Sequence, residues 1–176
     1  KNRTIVSKDI PGLLDAVERV LGAPFIRHRY PTGADHGTWV VPPRWDVRQA
    51  WLKGPDGRIV ADYAEHPLFV APYSHAFRGK LTLDALKPHV RLHPRRDDAF
   101  YYEHRLAYDY RRRLADWLIT MPRERFEALP DGEYEVELDV EVEPGEMLVA
   151  EYVLPGETEE SIALLSDYCH PGQCND

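Results

Sequence analysis

The apolar positions of the chain follow two different periods. Between Ser7 and Gly22, Leu13, Leu14, Val17, Val20 and Leu21 recur at helical spacing. Ser7 or Asp9 followed by Pro11 predicts the helix start, because a first-turn proline gives up an N–H that has no partner there. Gly22 predicts its end. Beyond it the period shortens to two. Pro24 to Tyr30 reads as a strand, and Pro31-Thr32-Gly33 as a turn. Thr38 to Val41 reads as a short strand stopped by Pro42-Pro43. Val47 to Lys53 and Arg58 to Tyr63 flank Gly54-Pro55-Asp56-Gly57, which predicts two strands joined by a turn. Leu68-Phe69-Val70 predicts the start of a further strand. Thr82 or Leu83 to His89 predicts a short helix with Thr82 as its cap.

Arg91 to Asp98 is basic and broken by proline, so it reads as a loop. From Tyr101 to Leu118 both periods fit. Leu106, Tyr110, Leu114 and Trp117 suit a helix, while the aromatic density suits a strand. A short helix follows from Met121 or Pro122 to Leu129, closed by Pro130-Asp131-Gly132. Glu133 to Val142 then alternates acid and apolar residue without a break, as in a strand with one wet and one buried face. After a Pro144-Gly145 turn, Glu146 to Leu154 predicts another strand. The run Ser161 to Ser166 does not alternate, which predicts a strand buried on both faces, as inside a parallel or mixed sheet.

Composition narrows the partners. The chain has 176 residues, 43% hydrophobic and 30% charged, so a packed core is feasible. A net charge of -8 argues against a nucleic-acid or anionic-membrane partner. No stretch approaches the ~20 apolar residues of a membrane span, and no signal pattern opens the chain. It begins at Lys1 and stops at Asp176, and both ends read as cut from something longer. The charge is uneven. Residues 1–122 hold 20 bases and 14 acids, whereas residues 123–176 hold 2 bases and 16 acids. Alternating acids line up along one strand face and do not converge on a point, which favours a solvated face over a cation site.

Candidate chemistry gathers at the C-terminal end. In open α/β sheets, ligands bind just beyond the carboxyl ends of strands. Beyond Ser166 stand Asp167, His170 and Asp176, with Pro171 and Gly172 bending the backbone between the last two. Imidazole and carboxylate are common zinc ligands, and a carboxylate has two oxygens with which to bridge two ions. On spacing alone, a hydrogen-bonded turn competes with this metal reading. Cys169 and Cys174 flank His170 and form no disulfide framework, which points to a reducing, cytoplasmic compartment. The other seven histidines are scattered before residue 122 and read as surface or core residues. Trp39, Trp45, Trp51 and Trp117 read as core anchors.

Several segments, in order and spacing, resemble the bacterial aminopeptidase-like proteins of the domain-of-unknown-function type, relatives of the two-zinc aminopeptidases. They are Arg3-Thr4-Ile5-Val6, Trp39-Val40-Val41-Pro42, Arg44-Trp45-Asp46-Val47-Arg48, Tyr73-Ser74 and Gly79-Lys80-Leu81 with Leu83 and Leu86. Leu129 to Tyr134, Leu154-Pro155-Gly156-Glu157 and the closing Cys169-His170-Pro171 complete the set. The chain departs from the family pattern in the middle. Tyr108-Asp109-Tyr110 and Trp117-Leu118-Ile119-Thr120 stand where the family has a Tyr-rich stretch and a Trp-Gly-Phe-Cys segment.

The resemblance implies an α/β fold with an α+β insert. Residues 1–31 and 144–176 would be parts of a peptidase-like α/β core, and residues 32–143 an inserted β-rich domain. It implies a zinc-dependent hydrolase of peptide or other small amide substrates, with two zinc ions in the intact protein. His170 would be the first zinc ligand and Asp176 the bridging carboxylate. Asp167, read from its place beside them, is either a carboxylate that orients His170 or an exposed strand-end carboxylate. The resemblance places the general base and the remaining ligands outside this chain. The alternative is a lid, binding or self-association module of a metal-free relative, with homo-oligomer formation as its partner chemistry.

Overall fold

A computed structural model of the chain describes residues 4–37, 39–103 and 116–166. The chain divides into two compact units, one of Lys1–Arg44 with Glu143–Asp176 and one of Trp45–Val142.

In the first unit, helix α1 (Ile10–Leu21) starts beside Asp9 with Pro11 in its first turn. It ends at Gly22, whose φ of 71° lies where a side chain would be strained. Strands β1 (Ile26–Pro31) and β10 (Glu146–Glu151) form an antiparallel ribbon, with Ile26 opposite Glu151 and Pro31 opposite Glu146. Ile10 and Leu14 of α1 pack on Leu148, with Phe25 and Ala150 alongside. Arg27 of β1 ties the helix down by reaching Asp15 at 2.6 Å and Glu18 at 2.7 Å. Glu18 also accepts the Phe25 N–H at 2.8 Å. That bond, and then Arg27, hold the Glu18 carboxyl below the usual carboxylate range.

The helical spacing predicts a longer buried stripe than forms. Val20 of α1 is 87% exposed, and Val17 and Leu21 are also exposed. A two-stranded ribbon is too narrow to cover a three-turn stripe. A second difference lies at Ser161 to Ser166, which forms no strand. Ile162, Leu164 and Leu165 are each more than 90% exposed. A strand buried on both faces needs a neighbour at each edge and a layer on each side. The described residues supply neither.

The ends of the ribbon are tied by one side chain. The Thr32 N–H donates to the Gly145 carbonyl at 2.8 Å, and the Gly145 N–H donates to Thr32 Oγ1 at 2.9 Å. Thr32 Oγ1 also lies 3.1 Å from the Pro42 carbonyl. Gly145 has no room for a side chain, since a Cβ there would stand 2.9 Å from both Arg44 Cβ and Val6 Cγ1. Strands β2 (Asp35–His36) and β3 (Trp39–Val40) form a small antiparallel pair in this unit.

The second unit is organised by a four-stranded sheet in which the strand over Arg44–Lys53 and the strand over Glu133–Glu143 are central. Its strands are β4 (Arg44–Lys53), β5 (Ile59–Asp62), β6 (Phe77–Thr82) and β9 (Glu133–Glu143). The alternation of β9 sends Tyr134, Val136 and Leu138 into the core. On β4 the buried positions shift from Trp45 and Val47 to Ala50 and Leu52, with Arg48 and Gln49 both exposed between them. Two consecutive outward residues mark a local irregularity of the strand. Leu86, Phe69, Ile119 and Met121 fill the rest of the core.

Two short helices and two residue-pair strands complete the unit. Helix α2 (Leu83–Leu86) is capped by Thr82 Oγ1, which accepts the Ala85 N–H at 3.3 Å. A 3-10 turn over Lys87–His89 continues it. Helix α3 (Arg123–Glu127) starts after Pro122. Strands β7 (Val90–Arg91) and β8 (Ile119–Thr120) pair in parallel. The expected strand at Leu68-Phe69-Val70 is instead a 3-10 turn over Pro67–Phe69, followed by a single bridge from Val70 to Ile119. His66 decides this by accepting the Leu68 N–H on its Nδ1, which caps a helical turn at the point where the strand would begin. Among the described residues, no helix is long and apolar enough to cross a membrane.

Leu52 is fully buried, so Leu52→Ala should cost about 2–5 kcal/mol. Denaturant unfolding followed by tryptophan fluorescence would measure it, and a loss below ~1 kcal/mol would contradict the packing. Thr32→Val removes both hydroxyl bonds while keeping the shape, and should cost about 1–3 kcal/mol. Thr32→Ser should recover most of that stability in the same measurement.

Candidate functional site

The residues that carry the metal reading, Asp167, His170 and Asp176, lie outside the described residues, as do Cys169 and Cys174. Among the described residues, no group of three or more His, Cys, Asp or Glu side chains could hold a metal ion.

Most of the described histidines are engaged locally. His28 meets Glu151 at 2.9 Å across the ribbon. His36 packs edge-on against Tyr30. His93 Nδ1 accepts the N–H groups of Arg95 and Arg96 at 3.2 and 3.0 Å, closing the loop after β7. The His89 ring stacks on Trp117 at 4.0 Å, and Phe77 stacks on Trp117 at 4.6 Å. His89 Nδ1 lies 3.0 Å from the Trp117 carbonyl and 3.4 Å from Asp116. A carbonyl only accepts, so that nitrogen carries the proton. His75 is exposed, and its backbone N–H donates to the Asp116 carbonyl. His104 lies outside the described residues.

A node of bonds explains the Tyr73-Ser74 pair. Tyr73 takes φ 63°, a left-handed conformation that costs a side-chain-bearing residue about 1–2 kcal/mol. It is held there from several directions. Trp45 Nε1 donates to the Ser74 carbonyl at 2.9 Å, and the Tyr73 ring lies tilted beside Trp45. Ser74 Oγ donates to the Ala71 carbonyl at 2.7 Å and accepts the Leu118 N–H at 3.1 Å. Ser74 is fully buried and spent on these bonds, so it is a structural serine and no nucleophile.

The acidic strand β9 differs from a freely solvated face. Its carboxylates pair with bases on the two flanking strands. Arg44 meets Glu143 at 2.8 Å, and Arg48 meets Glu141 at 3.0 Å and Asp139 at 3.6 Å. Lys53 lies 3.8 Å from Glu135. On the other side, Arg78 meets Glu137 at 3.1 Å and Lys80 meets Glu133 at 3.0 Å. Lys53 also stands over the Trp51 ring at 3.9 Å, which leaves Trp51 on this face and outside the core. Trp45 and Trp117 are buried in the core. A face neutralised pair by pair is a poor cation trap, and each exposed pair is worth only about 0–1 kcal/mol.

Among the described residues three acids are buried, Asp46, Glu103 and Glu137, and sequence reasoning missed all three. The Glu103 side chain is wholly buried, with Arg91 at 3.6 Å. Local pattern offers no signal for a buried acid, because its burial depends on what packs over it. It also missed the His66 group. His66 stacks face to face on Phe100 at 4.0 Å while Nδ1 caps the following turn. Burial pushes the His66 imidazole below its usual range, against the opposing pull of Glu65. Arg125 clamps Glu65 through both terminal nitrogens, at 3.0 and 2.6 Å, and holds its carboxyl below the usual range.

Protonating His66 takes away the lone pair that caps the turn. The unfolded chain binds that proton near pH 6.5 and the folded chain only below it, so acid pulls toward unfolding. This stability is complete above about pH 6.5 and is lost as pH falls through the lower folded value. His66→Asn keeps an acceptor and cannot titrate. It should flatten the fall in denaturation midpoint between about pH 7 and pH 5. An identical pH profile in both proteins would contradict the assignment.

Over 174 residues the chain is 31% identical to a Clostridium acetobutylicum protein described as "Putative polysaccharide biosynthesis protein with aminopeptidase-like domain". The match takes in 99% of this chain and 38% of that protein. The fold also matches a solved structure, the "putative peptidase" of Clostridium acetobutylicum, with a TM-score of 0.84 and 29% identity. That match covers 99% of this chain and 40% of the solved one. The chain thus spans about two-fifths of the length of these relatives. Its fold is the mixed α/β, sheet-dominated fold of that peptidase-like structure. Residues 44–141, nearly the whole of the second unit, match a family described as a domain of unknown function, DUF2172. That match covers more than half of the chain, and the chain belongs to the DUF2172 family.

Proposed function

We propose that this chain is part of a zinc-dependent hydrolase of peptide or other amide bonds. The observation that carries this reading is the match over 99% of the chain to relatives named for a peptidase or an aminopeptidase-like domain. In it, residues 1–31 and 144–176 contribute to the peptidase-like core, and residues 32–143 are the inserted domain. The exposed apolar residues at Ser161 to Ser166 fit a strand whose neighbours belong to that core.

The donor chemistry at the C-terminal end suits zinc. His170 would hold zinc through an imidazole nitrogen, and Asp176 would hold it through its carboxylate. Asp167 would serve as an acceptor for the other ring N–H of His170, a carboxylate role that favours one tautomer of a zinc-binding imidazole. When bound, the ions supply a water of lowered pKa and a polarised substrate carbonyl. The carboxylate that takes the proton from that water is assigned to polypeptide outside this chain. The substrate class is a peptide or small amide in a reducing, cytoplasmic setting, with Cys169 and Cys174 as thiols.

Zinc in a closed site takes about four ligands, and His170 and Asp176 offer only two. The purified 176-residue chain should therefore show no amide hydrolysis with added zinc. Robust turnover of aminoacyl-amide substrates by that chain would contradict the reading. In a longer protein that carries this chain, His170→Ala and Asp176→Ala should each lower the bound zinc, measured by elemental analysis of folded protein. Unchanged zinc in both variants would sink the metal assignment.

A further inference from the structure

We draw no further inference here: the strongest candidate, the exposed apolar run of the first unit at Ile162, Leu164 and Leu165, has nothing among the described residues to show what covers it, and the peptidase-like core that would cover it belongs to the function already proposed.

Discussion

The second unit depends on one strand having two incompatible faces. Along β9, Tyr134, Val136 and Leu138 are completely withdrawn from water, while Glu133, Glu135, Glu137 and Asp139 alternate with them. A slip of one residue would drive the carboxylates into the core and the apolar side chains into solvent. Burying an unpaired carboxylate costs several kcal/mol, and each of the three apolar side chains gains about 1.5–3 kcal/mol from burial. The register is therefore held by the hydrophobic face. The flanking bases then determine what the outer face is. With Arg78 opposite Glu137 and Lys80 opposite Glu135, strand pairing turns a run of like charge into a set of opposite pairs.

The loops around this sheet obey a different constraint, the satisfaction of backbone groups. Residues 116–120 run beside 68–75 without forming a long ladder. They are joined by Ala71 N–H to the Leu118 carbonyl, His75 N–H to the Asp116 carbonyl, and Thr120 Oγ1 to the Leu68 carbonyl. Ser74 and Trp45 supply the remaining bonds. In a segment this irregular, side chains replace the partners that a regular sheet would provide. This explains why a serine, a threonine and a tryptophan N–H are buried together, and why Tyr73 tolerates a left-handed backbone. In the first unit Thr32 plays the same part, using one hydroxyl and one N–H to join the ends of β1 and β10.

Local pattern reached some elements fully and others not at all. The limits of α1 were legible because Pro11 and Gly22 act within a single turn. The strands flanking Gly54 to Gly57 and the acidic strand were legible because alternation is a property of a few neighbouring residues. Strand β6 was not anticipated: Arg78-Gly79-Lys80 contains a glycine and two bases, and becomes a strand because β9 lies beside it. The turn at Pro67–Phe69 depends on the ring nitrogen of His66, whose burial comes from Phe100, over thirty residues away. Of the candidate site, the donor types and spacing of His170 and Asp176 were legible, and the described residues end before them.

The sequence by itself determined the limits of α1, the strands flanking Gly54 to Gly57, the apolar face of the acidic strand, and that this strand follows a more basic first two-thirds. These follow from periods of 3.6 and 2 and from the backbone limits of proline and glycine, all of which act over a few residues. Only the tertiary structure decided that the acids of β9 are neutralised by β4 and β6, that Ser74 is a buried hub, and that Val20 and Leu164 stay exposed. Pairing and burial depend on which distant segment comes to lie alongside. A strand's neighbour is chosen by the packing of the whole sheet, and no local period records it.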